Sequence, residues 1–394
     1  MSKSIQQRNV WLLVVAQALG AASPPIIISL GGIVGQNLAS NPALSTLPVS
    51  LYQAGVALST IPAALIMRRL GRRIAYVIGA LAGLLSGLWA AWGISQDDFV
   101  HFSMGVALAG FYGACVQSYR FAAADAVDRA ARPRAISLIM VGGLIAAIIG
   151  PQVVIWTRDL LPDTPFAGSF YSQAVLALFA LPVLLLLGMP GSDVKKQVES
   201  GRRLATIAGT PEFIVSATAG VVSFGLMSFI MTAAPMAMVQ MGHSVDNAAL
   251  GIQWHVLAMF GPSFLTGRLI QRYGKQTVTA AGLLIIGLSG VIAMSGAAVA
   301  HFWVSLILLG IGWNLGFIGA TAMVTDCYGD DERTKVQALN DFLVFGTVAV
   351  ASFGSGHLLN TAGWNVINFS MLPLIAIVLA MMGALRWHQK RVQS

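Results

Sequence analysis

Residues 68–73 read Arg-Arg-Leu-Gly-Arg-Arg, and residues 271–276 read Gln-Arg-Tyr-Gly-Lys-Gln, 203 positions further along. Each of these short polar stretches lies between long apolar runs. Two more pairs keep nearly the same register. Arg134 and Lys335 are 201 apart, as are Asp125 and Asp326. Correspondences at about half of a 394-residue chain mark an internal repeat. A membrane-embedded chain with such a repeat is built as two structural halves.

The composition requires the membrane. Hydrophobic residues make up 56% of the chain and charged residues 10%, with a mean hydropathy of +0.76. Soluble domains hold roughly 25% charged residues. Apolar runs long enough to cross a hydrocarbon core of about 30 Å recur throughout. The spans are expected at 10–34, 45–67, 74–95, 100–123, 134–156 and 171–188, and again at 211–240, 247–270, 277–299, 301–325, 336–358 and 365–387. This gives an all-α membrane protein of twelve transmembrane helices.

The net charge of +8 lies in short clusters between spans, which points to anionic lipid and not to nucleic acid. Lys3 and Arg8, Arg68 to Arg73, Arg129 to Arg134, Lys195 to Arg203, Arg268 to Lys275, Arg333 with Lys335, and Arg386 to Arg391 all fall on one side of a twelve-helix chain. Arg158 is the exception. The positive-inside rule then puts both termini in the cytoplasm. The polar stretch at mid-chain divides the protein into a six-helix bundle at 1–190, a cytoplasmic linker at 191–210, and a second bundle at 211–394. Two cysteines, Cys115 and Cys327, give no disulfide framework. The polar start MSKSIQQRN, followed by a long apolar run, does not read as a cleavable signal peptide.

The segment Gly267-Arg-Leu-Ile-Gln-Arg-Tyr-Gly-Lys resembles the loop signature of the major facilitator superfamily, G-x-L-x-D-R-x-G-R-R. The first-half copy departs from it at Ala64 and Arg68. The resemblance covers the whole chain and implies a fold of two pseudosymmetric six-helix bundles.

Soft donor atoms stand out early in the second half. Met227 and Met231 form M-x-x-x-M in helix 7, and His255 and Met259 form H-x-x-x-M in helix 8. A spacing of four places each pair on one helix face. Counting from the helix ends puts both pairs near the membrane midplane at 1.5 Å per residue. Thioethers with an imidazole suit Cu(I) and offer little to Mg(II) or Ca(II). With 16 methionines in the chain, a lone pair at this spacing is usually packing. The conjunction on sequential helices makes Met227, Met231, His255 and Met259 a candidate copper site.

That conjunction resembles the CcoA-type copper importers of the same superfamily. The resemblance implies copper import across the bacterial inner membrane in support of haem–copper oxidase assembly, with the copper ion as substrate. The rival expectation is a facilitator for an organic solute such as riboflavin or a drug, in which aromatic residues such as Trp254 and Trp313 would dominate. No P-loop, H-E-x-x-H or G-x-S-x-G motif is present, so a secondary transporter is expected and neither a pump nor an enzyme. No cofactor is expected, and the lipid bilayer is the one macroscopic partner of a monomer. Asp125 and Asp326 with Arg72 and Arg272 are expected to form charge pairs that gate the cytoplasmic ends. Asp341 is a weaker candidate as a proton carrier, as are Met236, Met238, Met241 and His243 as an outer entry station.

Overall fold

The computed structural model describes residues 3–128, 131–188 and 201–393, and these are helical with no strand among them. In the first half the spans are α1 (Ile5–Leu38), α2 (Pro42–Leu70), α3 (Arg72–Ser95), α4 (Phe99–Asp125), α5 (Arg134–Thr157) and α6 (Ala167–Leu185). In the second they are α7 (Pro211–Gln240), α8 (Val245–Phe260 with Ser263–Tyr273), α9 (Lys275–Met294) and α10 (Val299–Val324). A last helical stretch, Lys335–Gln389, is 55 residues long. At 1.5 Å per residue that is about 80 Å, far more than one crossing needs. Gly363 divides it, with φ 82° and ψ 174°, so it supplies α11 (333–362) and α12 (364–393). Among the described residues, ten helices are long and apolar enough to cross, the bent α8 is an eleventh, and the division of the last at Gly363 makes twelve.

The breaks have local causes. In α1 the ladder lapses at Ala21–Ala22, just ahead of Pro24 and Pro25, which sit in the first turn of the helix that resumes at Ser23. Proline is tolerated there because its missing N–H would be unpaired anyway. In α8 the sequence Gly261-Pro262 bends the span by 43°. Asn314 of α10 reaches this bend, where its amide donates to the Met259 carbonyl at 2.6 Å and to Ser263 Oγ at 2.7 Å. A carbonyl freed by the broken ladder is thus paired inside the protein, as it must be where no water is available.

The repeat is visible in the backbone. Gly71 has φ 84° and ψ 159°, and Gly274 has φ 85° and ψ 153°. Only glycine adopts this region at little cost, so the Leu-Gly-Arg and Tyr-Gly-Lys loops turn by the same device. Arg72 pairs with Asp125 at 2.6 Å, and Lys275 pairs with Asp326 at 2.6 Å, directly after each turn.

The chain forms two compact units, Met1–Val194 with Pro235–Leu257 and Lys195–Ala234 with Ala258–Ser394. In the first unit α4 packs most extensively on α3 and α2, around a core of Leu13, Tyr76, Tyr112, Tyr119, Ile139 and Leu184. Glycines permit close approach, as where Gly87 faces the backbone of Phe170 and Ala174 on α6. The outer turns of α7 and α8 belong to this unit. Arg158 contacts Asp246 at 3.3 Å, Gln152 donates to Gln253 at 3.0 Å, and Gln240 donates to Gln36 at 3.4 Å. The basic residue that breaks the positive-inside pattern is therefore held by an ion pair.

In the second unit α9 packs on α10, with Gly282 against the backbone of Gly316. A smaller core of Ile207, Phe213, Ala217, Val324 and Val336 lies nearby. Of the expected linker, residues 191–200 lie outside the described residues. The rest holds a short helix, Leu204–Ala208, and Arg202, which pairs with Glu332 at 2.8 Å. Large apolar side chains such as Leu58, Ile61, Phe342, Val350 and Ile377 are exposed. A soluble monomer would not show so many, but lipid contact accounts for them.

Candidate functional site

Met227 and Met231 lie on α7, and His255 and Met259 lie on α8, and all four are buried. Met227, Met231 and Met259 belong to the second unit, and His255 belongs to the first. No group of three or more His, Cys, Asp or Glu able to hold a metal occurs among the described residues. Cys115 is buried beside Gly79, and its thiol points at the Ala75 carbonyl at 3.7 Å. Cys327 is half-buried, and that burial pushes its thiol above the usual range, away from the thiolate that soft metals bind.

The dominant feature at this depth of the second unit is aromatic. Phe224 on α7, Trp313 and Phe317 on α10, Phe345 on α11 and Phe260 at the bend of α8 converge. Phe224 and Phe317 are stacked at 5.0 Å and 23°, and Trp313 and Phe317 at 5.4 Å and 15°. Phe224 and Trp313 lie 5.2 Å apart at 36°. Phe345 meets Phe224 edge-on at 5.8 Å, and Phe260 meets Trp313 edge-on at 6.3 Å. Pairs of this kind contribute about 0.5–1.5 kcal/mol each beyond the area they bury. Phe224, Trp313 and Phe345 lie roughly 17–20 Å along their helices from Pro211, Val324 and Arg333, about half the thickness of a membrane.

The set is not sealed. Trp313 is buried, while the four phenylalanines are half-buried. The indole Nε1 of Trp313 is buried without a hydrogen-bond partner among the described residues, as are Ser223 Oγ and Ser228 Oγ on α7. Phe224, Met227, Ser228 and Met231 follow the i, i+3, i+4, i+7 pattern, so the methionines share the face of α7 that bears the ring. Thioethers beside aromatic rings make favourable, adaptable contacts. The methionine spacing was thus a sign of this face. Trp254, the other tryptophan singled out for an organic solute, is 41% exposed and belongs to the first unit.

Among the expected gating residues, Arg72 pairs with Asp125, while Asp326 pairs with Lys275. Arg272 instead lies over the Tyr273 ring at 5.3 Å. Both ion pairs join helices of the same half. Asp341 is exposed, Met236 and Met238 are buried, and Met241 is exposed.

The chain belongs to the major facilitator superfamily, whose family model matches residues 10–312 and 216–394. It is a multi-pass protein of the bacterial inner membrane. It is 60% identical over 375 residues, 95% of this chain and 94% of the relative, to a protein of Brucella anthropi named riboflavin transporter RfnT. It is also 29% identical over 391 residues, 94% of this chain and 89% of the other, to YdeG, an uncharacterized transporter of Bacillus subtilis. Among solved structures it resembles the nucleoside transporter NupG in fold. A crystal structure of NupG gives a TM-score of 0.71 at 14% identity, over 96% of this chain and 98% of that one.

These relationships correct the expectation of copper. The close relative is named a riboflavin transporter, so the resemblance to CcoA-type importers does not extend to the substrate, and copper import and oxidase assembly fall with it. The physical reason is that a four-residue spacing sets only a shared helix face. It does not distinguish metal donors from side chains that line a face for another purpose.

Proposed function

We propose that this protein transports riboflavin across the inner membrane, as a secondary facilitator working by alternating access between its two halves. The observation that supports this most is the 60% identity over 95% of the chain to a relative named a riboflavin transporter. The aromatic set at mid-depth of the second unit suits a flat conjugated substrate, since ligand sites are mostly apolar with a few polar groups. Riboflavin is bound and released unchanged, so the protein acts without covalent chemistry, resident cofactor or ATP site. It works as a monomer, and the distribution of Lys and Arg supports placing both termini in the cytoplasm.

The test is growth of a riboflavin auxotroph that lacks its own riboflavin uptake. Cells expressing this chain should grow on riboflavin levels too low for the parent and accumulate labelled riboflavin, with copper content unchanged. Absence of uptake with the protein present in the membrane would refute the reading.

A further inference from the structure

Riboflavin has two parts of opposite character, a planar tricyclic ring system and a polyhydroxyl chain. A transporter that takes it must offer a surface for the ring, and no residue has yet been assigned to that task. On this chain the roughly parallel rings of Phe224, Trp313 and Phe317 form such a surface, with centroids 5.0–5.4 Å apart. Three features suit it to a ligand. The flanking phenylalanines are half-buried. A buried indole N–H is left without a partner among the described residues, a state that buried donors seldom keep without a reason. The methionine face of α7 continues the surface with polarizable contacts.

Resting on the riboflavin reading, we propose that the isoalloxazine ring stacks on the second-half aromatic set, with Phe224 and Phe317 as the stacking residues. The Trp313 indole N–H donates to one of the ring's carbonyl or nitrogen acceptors. Sequence-tolerant stacking of planar heterocycles on aromatic side chains is a general binding mode. The donor adds direction, because an analogue without the acceptor leaves the N–H unpaired in a dry site.

The test uses the purified full-length protein in detergent, with riboflavin as the probe and flavin fluorescence as the readout. Electron donation from the nearby Trp313 indole should quench the flavin, and lumichrome, which has the ring without the ribityl chain, should compete while ribitol should not. Phe224→Leu and Phe317→Leu, which keep apolar volume and remove the ring, should each weaken riboflavin binding roughly tenfold in protein that still folds, with melting lowered moderately by the lost ring contacts. Trp313→Phe keeps a ring and removes the donor. It should retain lumichrome competition but bind riboflavin several-fold more weakly, with less quenching.

Wild-type affinity in the leucine variants, alongside a wild-type protein that binds and imports riboflavin, would overturn the site and leave the transport reading standing. A wild-type protein that neither binds nor imports riboflavin would remove both. Should a leucine variant fail to fold, the lumichrome and ribitol competition on wild type still decides whether the ring is what the protein recognises.

Discussion

Helices α1 and α4 of the first half close on Gly20, and α7 and α10 of the second close on Gly316 against Ser223, but only the second seam carries a set of stacked rings beside its glycine. A Cβ on Gly20 would lie 2.7 Å from Val116 Cγ2 and 2.8 Å from Tyr112 Oη, so these helices touch with no room for a side chain. Tyr112 and Val116 stand 201 residues before Trp313 and Phe317, the same offset that relates Asp125 to Asp326. At the equivalent seam Phe224 spreads its ring over Trp313 and Phe317. One architecture thus appears twice, closed at a glycine in both copies, with Phe224, Trp313 and Phe317 stacked beside it in the second. A repeated frame leaves each copy free to fill the same seam for a different purpose.

The largest expected effect comes from forcing the first seam to resemble the second. Gly20→Phe drives a ring into Val116, whose branched side chain is stiff, and into the buried ring of Tyr112. Overpacking of this severity costs about 3 kcal/mol or more. Membrane yield should collapse, and any protein recovered should melt well below wild type. At the second seam Phe224→Leu gives up three ring contacts, so it should lower melting moderately while membrane yield stays near wild type. A Gly20→Phe protein that accumulates and melts normally would mean that the α1–α4 seam is loose and that the contrast between the halves has no structural basis.

A smaller effect is expected at Asn314, whose first-half counterpart at the same offset is Gly113. The second half needs the amide because α8 is bent at Gly261-Pro262 and Met259 has a carbonyl to pair, while α2 runs continuously through Leu47–Leu70. Asn314→Ala removes the bonds to Met259 and Ser263 and leaves buried polar atoms unsatisfied, at about 1–3 kcal/mol. Thermal unfolding in detergent should shift downward, and riboflavin uptake should fall with it because the bend presents Phe260 to Trp313. Unchanged melting would show that the bend is set by Pro262 alone.

Much of the frame was legible in the sequence because its physical causes are local. Apolar run length, the segregation of Lys and Arg, and glycine in the two loops each act within a few residues, and they specified twelve spans in two repeats. Boundaries moved modestly, as with the sixth span, expected at 171–188 and found at Ala167–Leu185. Met227 and Met231 drew attention to the face of α7 that carries Phe224, but the substrate inferred from them, copper, was the wrong one. Phe224, Trp313 and Phe345 come from three separate spans, so no spacing along the chain announces that their rings meet. The methionines were conspicuous because their partners in pattern are local. The one local sign of the set was the helical spacing of Trp313 and Phe317, four apart on α10.

The smallest expected effect concerns how the linker is fastened, another difference between the halves. Glu332 accepts from the backbone N–H of Arg202 at 2.7 Å, from its Nε at 2.9 Å and from its Nη2 at 2.8 Å, and from the Gly329 N–H at 3.0 Å. The corresponding first-half positions, 129–131, read Arg-Ala-Ala and offer no carboxylate. The Arg202 guanidinium and these N–H donors hold the Glu332 carboxyl at about 2, down from its ordinary 4.5. Because the folded value is depressed, the native state binds this proton less readily than the unfolded chain. The stabilisation is therefore complete above about pH 4.5 and lost as pH falls toward 2. Glu332→Gln replaces the carboxylate with a neutral amide of the same shape, so it should lower the melting temperature slightly at pH 7 and leave riboflavin uptake unchanged. The gap between variant and wild type should hold down to about pH 5 and then narrow on further acidification, as the wild-type carboxyl takes up its proton. A gap that stays constant to about pH 3 would show that Glu332 acts there by shape and not by charge.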